Sequence, residues 1–144
     1  MSPNMKSRYG AAVAVGGVIG ANLRYWTSLL LPFDPFQVFP YATLAVNLAG
    51  ACFLGWLTAW LAQRPAMSPL WKLTFGTGLA GALTTFSTFT VETIQLIEAR
   101  RWAAALSYQV ITLVAGVLAA WMGYRLASYR RARASSLCKR SDEQ

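Results

Sequence analysis

Apolar residues in this chain fall into four long runs, separated by short connections that contain proline and polar residues. The runs cover residues 9–31, 41–61, 72–97 and 103–126. A helix that crosses a lipid bilayer needs about 20 predominantly apolar residues, and each run reaches that length. The pattern therefore predicts an all-α integral membrane protein with four transmembrane helices, and it leaves no room for a separate catalytic domain.

The third run differs from an ordinary lipid-facing helix. Gly76, Gly78 and Gly81 are followed by five hydroxyl residues between positions 84 and 90. Unsatisfied backbone groups are costly in hydrocarbon, so irregular backbone survives only where it is buried in protein or lines a polar path. We therefore expect the third helix to be broken and the functional site to lie there. The glycines also match G-x-G-x-x-G, but the chain lacks the preceding strand that a dinucleotide site requires.

Two sets of side chains near this stretch are candidates for ion contact. Phe86 and Phe89 are three residues apart and share a helical face, which Glu92 continues. Phenylalanine edges are electropositive and can border an anion path, although ordinary packing is the commoner reason for this spacing. Asn47 is an amide inside the second run, with Thr43 one turn earlier. Hydrogen bonding between helices and ligand contact both stay open for Asn47.

Small and polar residues mark two further helix faces. Gly16 and Gly20, four residues apart in the first run, favour a close helix–helix interface. Tyr108, Thr112 and Gly116 recur every four residues in the fourth run and indicate a groove along one face. Arg24 lies inside an apolar run, where an arginine either extends to the membrane surface or pairs with a polar partner.

The net charge of +8 favours contact with lipid headgroups over nucleic acid, because the basic residues concentrate at and beyond the end of the fourth run. We divide the chain into a four-helix transmembrane domain, residues 1–128, and a basic tail, residues 129–144, which we expect to be disordered or a frayed helix. The cysteines, Cys52 and Cys138, predict neither a disulfide nor a metal site.

The same charges predict an orientation. If the helices alternate in direction, one membrane face receives five basic residues outside the tail and the other three. These are Lys6, Arg8, Arg64, Lys72 and Arg125 on one face, against Arg24, Arg100 and Arg101 on the other. That bias is weak, but the basic tail adds to the larger group. Under the positive-inside rule both termini are then expected in the cytoplasm.

Three sequence motifs resemble those of a known family. They are G-G-V-I-G-A-N-L-R-Y at residues 16–25, T-L-A-V-N at 43–47 and G-L-A-G-A-L-T-T-F-S-T-F-T-V-E at 78–92. With them the chain resembles the small fluoride channels of the Fluc (CrcB) family over nearly all of residues 10–126. The resemblance implies a non-enzymatic, multi-pass protein of the plasma (inner) membrane that lets fluoride leave the cytoplasm passively. It also implies an antiparallel, dual-topology homodimer with two fluoride pores along the subunit interfaces and a structural sodium ion at the dimer centre.

The resemblance further implies roles for particular residues. Those assigned to the fluoride pore are Asn47, Phe86, Phe89, Ser87, Thr88, Tyr108, Thr112 and Thr43. Arg24 and Glu92 match positions near the pore mouths, and the backbone carbonyls of Gly81 and Thr84 match a sodium site at the helix break. Where the polar track of the fourth helix would continue, this chain has Gly116 and Ala120. Fluoride is strongly hydrated, so a selective path must replace water with converging donors.

Two other functions compete with a channel. A proton-coupled exporter of the four-helix, dual-topology type works through an intramembrane carboxylate, but the first run contains no acidic residue and the chain has no histidine. A proton relay therefore has few candidates among the acidic residues, which are Asp34, Glu92, Glu98, Asp142 and Glu143. A purely structural assembly subunit would explain the small-residue faces but not the cluster of phenylalanines and hydroxyls.

Overall fold

The computed structural model describes residues 3–36 and 39–142, and the side chains of residues 4–36 and 39–129. The described chain is all-helical. Its elements are α1 (Pro3–Leu30), α2 (Tyr41–Ala62), α3 (Pro69–Trp71), a π-helix (Lys72–Ala80), α4 (Gly81–Leu83), α5 (Phe86–Glu98) and α6 (Trp102–Asp142). The elements from α3 to α5 together make the third of four long helical segments.

The third segment is interrupted at two residues, as the glycine and hydroxyl content predicted. Thr84 has φ −77° and ψ 153°, and Thr85 has φ −146° and ψ 123°. Both residues are extended, so the helix stops after Leu83 and starts again at Phe86. A π-helix of nine residues precedes the break. The prediction of a broken third helix is confirmed.

Helix length and hydropathy identify two candidate membrane spans among the described residues, Tyr41–Ala62 and Trp102–Tyr129. The break explains why the third segment does not qualify, because it divides the segment into two short helical pieces, one at residues 69–83 and the other, α5, of only 13 residues. The first helix carries Lys6, Arg8 and Arg24 along its length. The four apolar runs in the sequence thus correspond to four helical segments. Two of these segments are long and apolar enough to be identified as membrane spans.

The four segments form two parallel pairs. In the first pair α1 lies along the third segment, where Gly16 is next to Thr74 and Gly20 is next to Leu79. A Cβ atom added at either glycine would collide with the carbonyl oxygen of that neighbour. The close interface expected from this spacing is therefore confirmed, and it lies within one chain.

In the second pair α2 lies along α6. Gly55 contacts Ala120, and further along both helices Gln63 Nε2 donates to the Ala127 carbonyl at 3.4 Å. Both helices advance in the same direction between these contacts. Since α1 and α2 are joined by a short connection, the two pairs run antiparallel to each other, in agreement with the alternation assumed for the charges.

The last helix extends to Asp142 and therefore includes most of the segment that we expected to be a disordered or frayed tail. Its backbone is helical across residue 129, so the helix does not end where the hydrophobicity falls. The division into residues 1–128 and 129–144 stays a prediction, and the side chains of the tail, Cys138 among them, lie outside the described residues.

Candidate functional site

Asn47 binds the backbone of the broken helix. Its Nδ2 donates to the Thr85 carbonyl at 3.1 Å, and the Thr85 N–H donates to Asn47 Oδ1 at 2.8 Å. A break in a helix leaves backbone groups without their usual partners, and such groups must be satisfied when they are away from water. The amide supplies both a donor and an acceptor to Thr85, which is buried. It thereby joins α2 to the break, and the second N–H of Nδ2 is left for another acceptor.

Thr85 also begins the helix that follows the break. Its Oγ1 accepts from the Thr88 N–H at 3.2 Å and donates to Thr88 Oγ1 at 3.0 Å, and Ser87 Oγ lies 3.3 Å away. A threonine in extended conformation whose oxygen accepts from the third residue of a helix is a typical N-cap. Our sequence reasoning assigned no role to Thr85. A hydroxyl residue directly before an amphipathic helix was the signal available for it.

The break releases carbonyl oxygens from helical bonding, and those of Gly81 and Thr84 are among them. In a continuous α-helix the carbonyls of Gly81 and Thr84 would accept from the N–H groups of residues 85 and 88. Those N–H groups instead donate to Asn47 Oδ1 and Thr85 Oγ1. Broken membrane helices coordinate sodium through such freed carbonyls. The chemistry of the two residues that the resemblance assigns to sodium therefore fits that ion.

An open groove of about 490 Å³ runs along the side of the subunit at the level of the break. Its walls include Asn47, Phe86, Phe89 and Thr112, which the sequence had assigned to one site, together with Thr84. The Phe86 and Phe89 rings lie 6.0 Å apart, and 80% of Phe86 is exposed. The Phe86 side chain therefore points out of the helix bundle and borders the open side of the groove.

Two polar side chains of α6 line the groove, one that the sequence predicted and one that it did not. Thr112 Oγ1 is buried and has no hydrogen-bond partner in the described structure, so it is available to a ligand. Gln109 lies one turn earlier and is exposed. Sequence reasoning missed Gln109, although it is the only amide in the fourth apolar run. Gly116 also lines the groove, and a Cβ atom there would meet open space.

Three other predicted residues form a buried cluster beside the groove. Glu92 is only 6% exposed, and its two oxygens accept from Thr43 Oγ1 and the Tyr108 hydroxyl, each at 2.8 Å. Tyr108 is fully buried, and its ring packs 4.9 Å from that of Phe89. The structure brings Thr43 and Tyr108 together with Glu92 rather than with Asn47. Their assignment to the pore stays a prediction.

A smaller cavity of about 260 Å³ lies on the other side of Thr85 from the groove. Arg24 and Glu92, the two residues expected at pore mouths, both line it, and so does Thr88. Thr85 is shared by this cavity and the groove. Thus the predicted residues other than Ser87, Tyr108 and Gly81 all line one of two spaces that meet at the break.

Comparison with known proteins identifies a family that matches most of the chain. The model of the family described as "CrcB-like protein, Camphor Resistance (CrcB)" matches residues 11–124. A protein of Geobacillus kaustophilus named fluoride-specific ion channel FluC 2 is 40% identical over 120 residues, which is 83% of this chain and 93% of that protein. Fluoride-specific ion channel FluC of Oceanobacillus iheyensis is 42% identical over 117 residues, 81% of this chain and 89% of that protein. The FluC protein of Aromatoleum aromaticum is 41% identical over 114 residues, 78% and 86% of the two chains.

Proposed function

The chain belongs to the CrcB-like protein family, whose model covers residues 11–124, and from that membership we propose that it is a fluoride-specific ion channel. Its relatives carry that name at about 40% identity over most of both chains. The family is one of membrane channels and not of enzymes. The resemblance seen in the three sequence motifs is confirmed.

The observation that carries the proposal is the pairing of Asn47 with Thr85 at the break. It holds the start of α5 against α2, so that Phe86 and Phe89 lie in the groove that Asn47 and Thr112 also line. The free N–H of Asn47 and the unpartnered Thr112 hydroxyl are donors of the kind that can replace the water around fluoride. The edges of the two phenylalanine rings add electropositive surface without adding a full charge.

The groove is half of a pore. It is open along one side of the subunit, where Gln109 and Phe86 are exposed. An amide facing hydrocarbon is unfavourable, so this side is covered by protein in the membrane. A second, antiparallel copy covers it, and two-fold symmetry then gives two equivalent pores. The path continues past Thr85 into the smaller cavity, where Thr43 and Thr88 supply polar lining. Ser87 and Tyr108 contribute from behind it, through their hydrogen bonds to the lining residues Thr85 and Glu92.

We expect the carbonyls of Gly81 and Thr84 to lie at the centre of the same dimer. Two copies together supply four carbonyl oxygens, which suits a sodium ion held at the dimer centre. The ion would hold the two breaks together and so keep the two grooves in register. The role of sodium is structural, because no step of fluoride permeation requires a second ion.

The proton-coupled exporter remains the second candidate, and Glu92 is the one acidic side chain deep in the described helices that could serve it. Both of its oxygens already accept hydrogen bonds, which favours a structural carboxylate. The two functions differ in their dependence on protons. Purified protein in fluoride-loaded liposomes should release fluoride down its gradient with no pH difference across the membrane and should retain chloride. Release that occurs only with a proton gradient would instead support the exporter, and no release at all would support a structural subunit.

The channel operates in the plasma (inner) membrane and exports fluoride from the cytoplasm. Dual topology requires that copies insert in both orientations, against the bias of the basic residues. Labelling the C-terminus from each side of intact cells tests this part separately. Tails accessible from both sides support the antiparallel dimer, and tails confined to the cytoplasm would exclude it without affecting the fluoride assay.

A further inference from the structure

A third cavity, of about 690 Å³, is lined by α2 and by the part of α6 from Trp121 to Tyr129. Cys52 forms its α2 wall. At 3.6 residues per turn, Trp121 and Arg125 lie on roughly the opposite side of α6 from Gln109 and Thr112. A second copy that covers the groove along Gln109 therefore leaves this cavity open toward lipid.

The lining of this cavity changes from apolar to polar along α6. Trp121, Met122 and Leu126 are 55%, 61% and 54% exposed, so the part nearer the middle of the helix needs an apolar occupant. Arg125 also lines the cavity, with its guanidinium carbon 5.0 Å from the Trp121 ring centroid. Such cation–π contact positions a cationic group without neutralising it. The hydroxyl residues Ser128 and Tyr129 follow at the outer end.

The charged side chains described at this end of the molecule are all positive. The parallel helix pairs bring Arg125 to the same end of the molecule as the start of α1, the start of the third segment and the end of α2. The basic residues described there are Lys6, Arg8, Arg64, Lys72 and Arg125. The acidic side chains that the structure describes, Asp34, Glu92 and Glu98, belong to the opposite half of the bundle. An anion at Arg125 would thus meet no nearby carboxylate among the described residues.

We propose that this cavity binds an anionic phospholipid, with an acyl chain against Trp121, Met122 and Leu126 and the phosphate at Arg125. The apolar part excludes a free anion as the natural occupant, because such an anion would leave that surface uncovered. The uncompensated positive charge selects an anionic headgroup over a zwitterionic one. The proposal does not depend on fluoride conduction, since its residues lie away from the groove.

The test measures lipid retained by the full-length protein after extraction. Native mass spectrometry would count bound phosphatidylglycerol and phosphatidylcholine after equilibration with equal amounts of both. Arg125→Gln should lower the phosphatidylglycerol-to-phosphatidylcholine ratio about fivefold. That factor is the change in binding equilibrium expected when one basic residue stops attracting an anionic lipid. The matched control is Arg100→Gln, which removes an exposed arginine at the opposite end and should leave the ratio unchanged.

Several results would overturn the proposal. An unchanged ratio in Arg125→Gln, or an equal fall in both variants, would mean that the cavity does not select the headgroup. Displacement of phosphatidylglycerol by a similar concentration of inorganic phosphate would mean that the apolar part contributes no binding. A fall in the dimer fraction of Arg125→Gln at an unchanged lipid ratio would show that a second copy of the chain occupies the cavity.

Discussion

Replacing Asn47 with leucine should destabilise the protein strongly, although the position is only half-buried. Leucine has a similar branched shape but neither donates nor accepts a hydrogen bond. The substitution therefore removes both bonds between the Asn47 amide and the Thr85 backbone, at 3.1 and 2.8 Å. The open groove beside Asn47 accommodates the additional methyl volume, so hydrogen bonding dominates the effect.

The size of the expected loss of stability follows from the burial of Thr85, which is 7% exposed. Its N–H and carbonyl would both be left without partners away from water, and each such group costs about 1–3 kcal/mol. Asn47→Leu should then lower the free energy of unfolding by about 2–6 kcal/mol. Equilibrium unfolding in mixed micelles at fixed protein and lipid concentration, followed by tryptophan fluorescence, measures this difference.

Asn22→Leu is the matched control. Asn22 is exposed, and its Nδ2 donates only to the Val18 carbonyl of its own helix at 2.8 Å. The same chemical change there should alter the free energy of unfolding by less than about 0.5 kcal/mol. If the two variants differ by less than about 1 kcal/mol, the amide does not hold the break together, and the account of the site given above is wrong.

Two further predictions concern conduction, and a third concerns the stability of the dimer. Asn47→Asp should suppress fluoride flux per folded dimer in liposomes, because the substitution replaces the free NH₂ donor with a carboxylate that carries the same charge as the anion. Normal flux in this variant would show that Asn47 does not lie on the fluoride path. Phe86→Ile should reduce flux per folded dimer, and Phe86→Met should reduce it less. Because Phe86 is 80% exposed, Phe86→Ile should change the free energy of unfolding by less than about 1.5 kcal/mol. Flux that merely follows the amount of folded dimer would make Phe86 a packing residue. Replacing sodium with N-methylglucamine should lower the dimer's thermal midpoint, whereas changing only the anion should not; equal midpoints in both cations would argue against the carbonyl site.

The amino-acid sequence determined the helical segments, the broken third helix and the family. These features depend on local composition: lipid requires long apolar helices, and glycine and hydroxyl residues in such a run are compatible only with a special backbone. The motifs around Asn47, Phe86 and Phe89 were also sufficient to predict most of the groove. The antiparallel dimer and the sodium ion stay predictions, because each depends on a second copy of the chain.

Only the tertiary structure decided how the polar side chains pair. Asn47 binds Thr85, 38 residues away, and Thr43 binds Glu92, 49 residues away, so that Tyr108 joins a buried cluster instead of the groove. Sequence spacing places residues on a helix face but does not determine the rotation of one helix against another. Here that rotation is set by backbone contacts at glycines such as Gly16 and Gly55, where any side chain would collide with the neighbouring helix. The partner of each buried polar group follows from that packing.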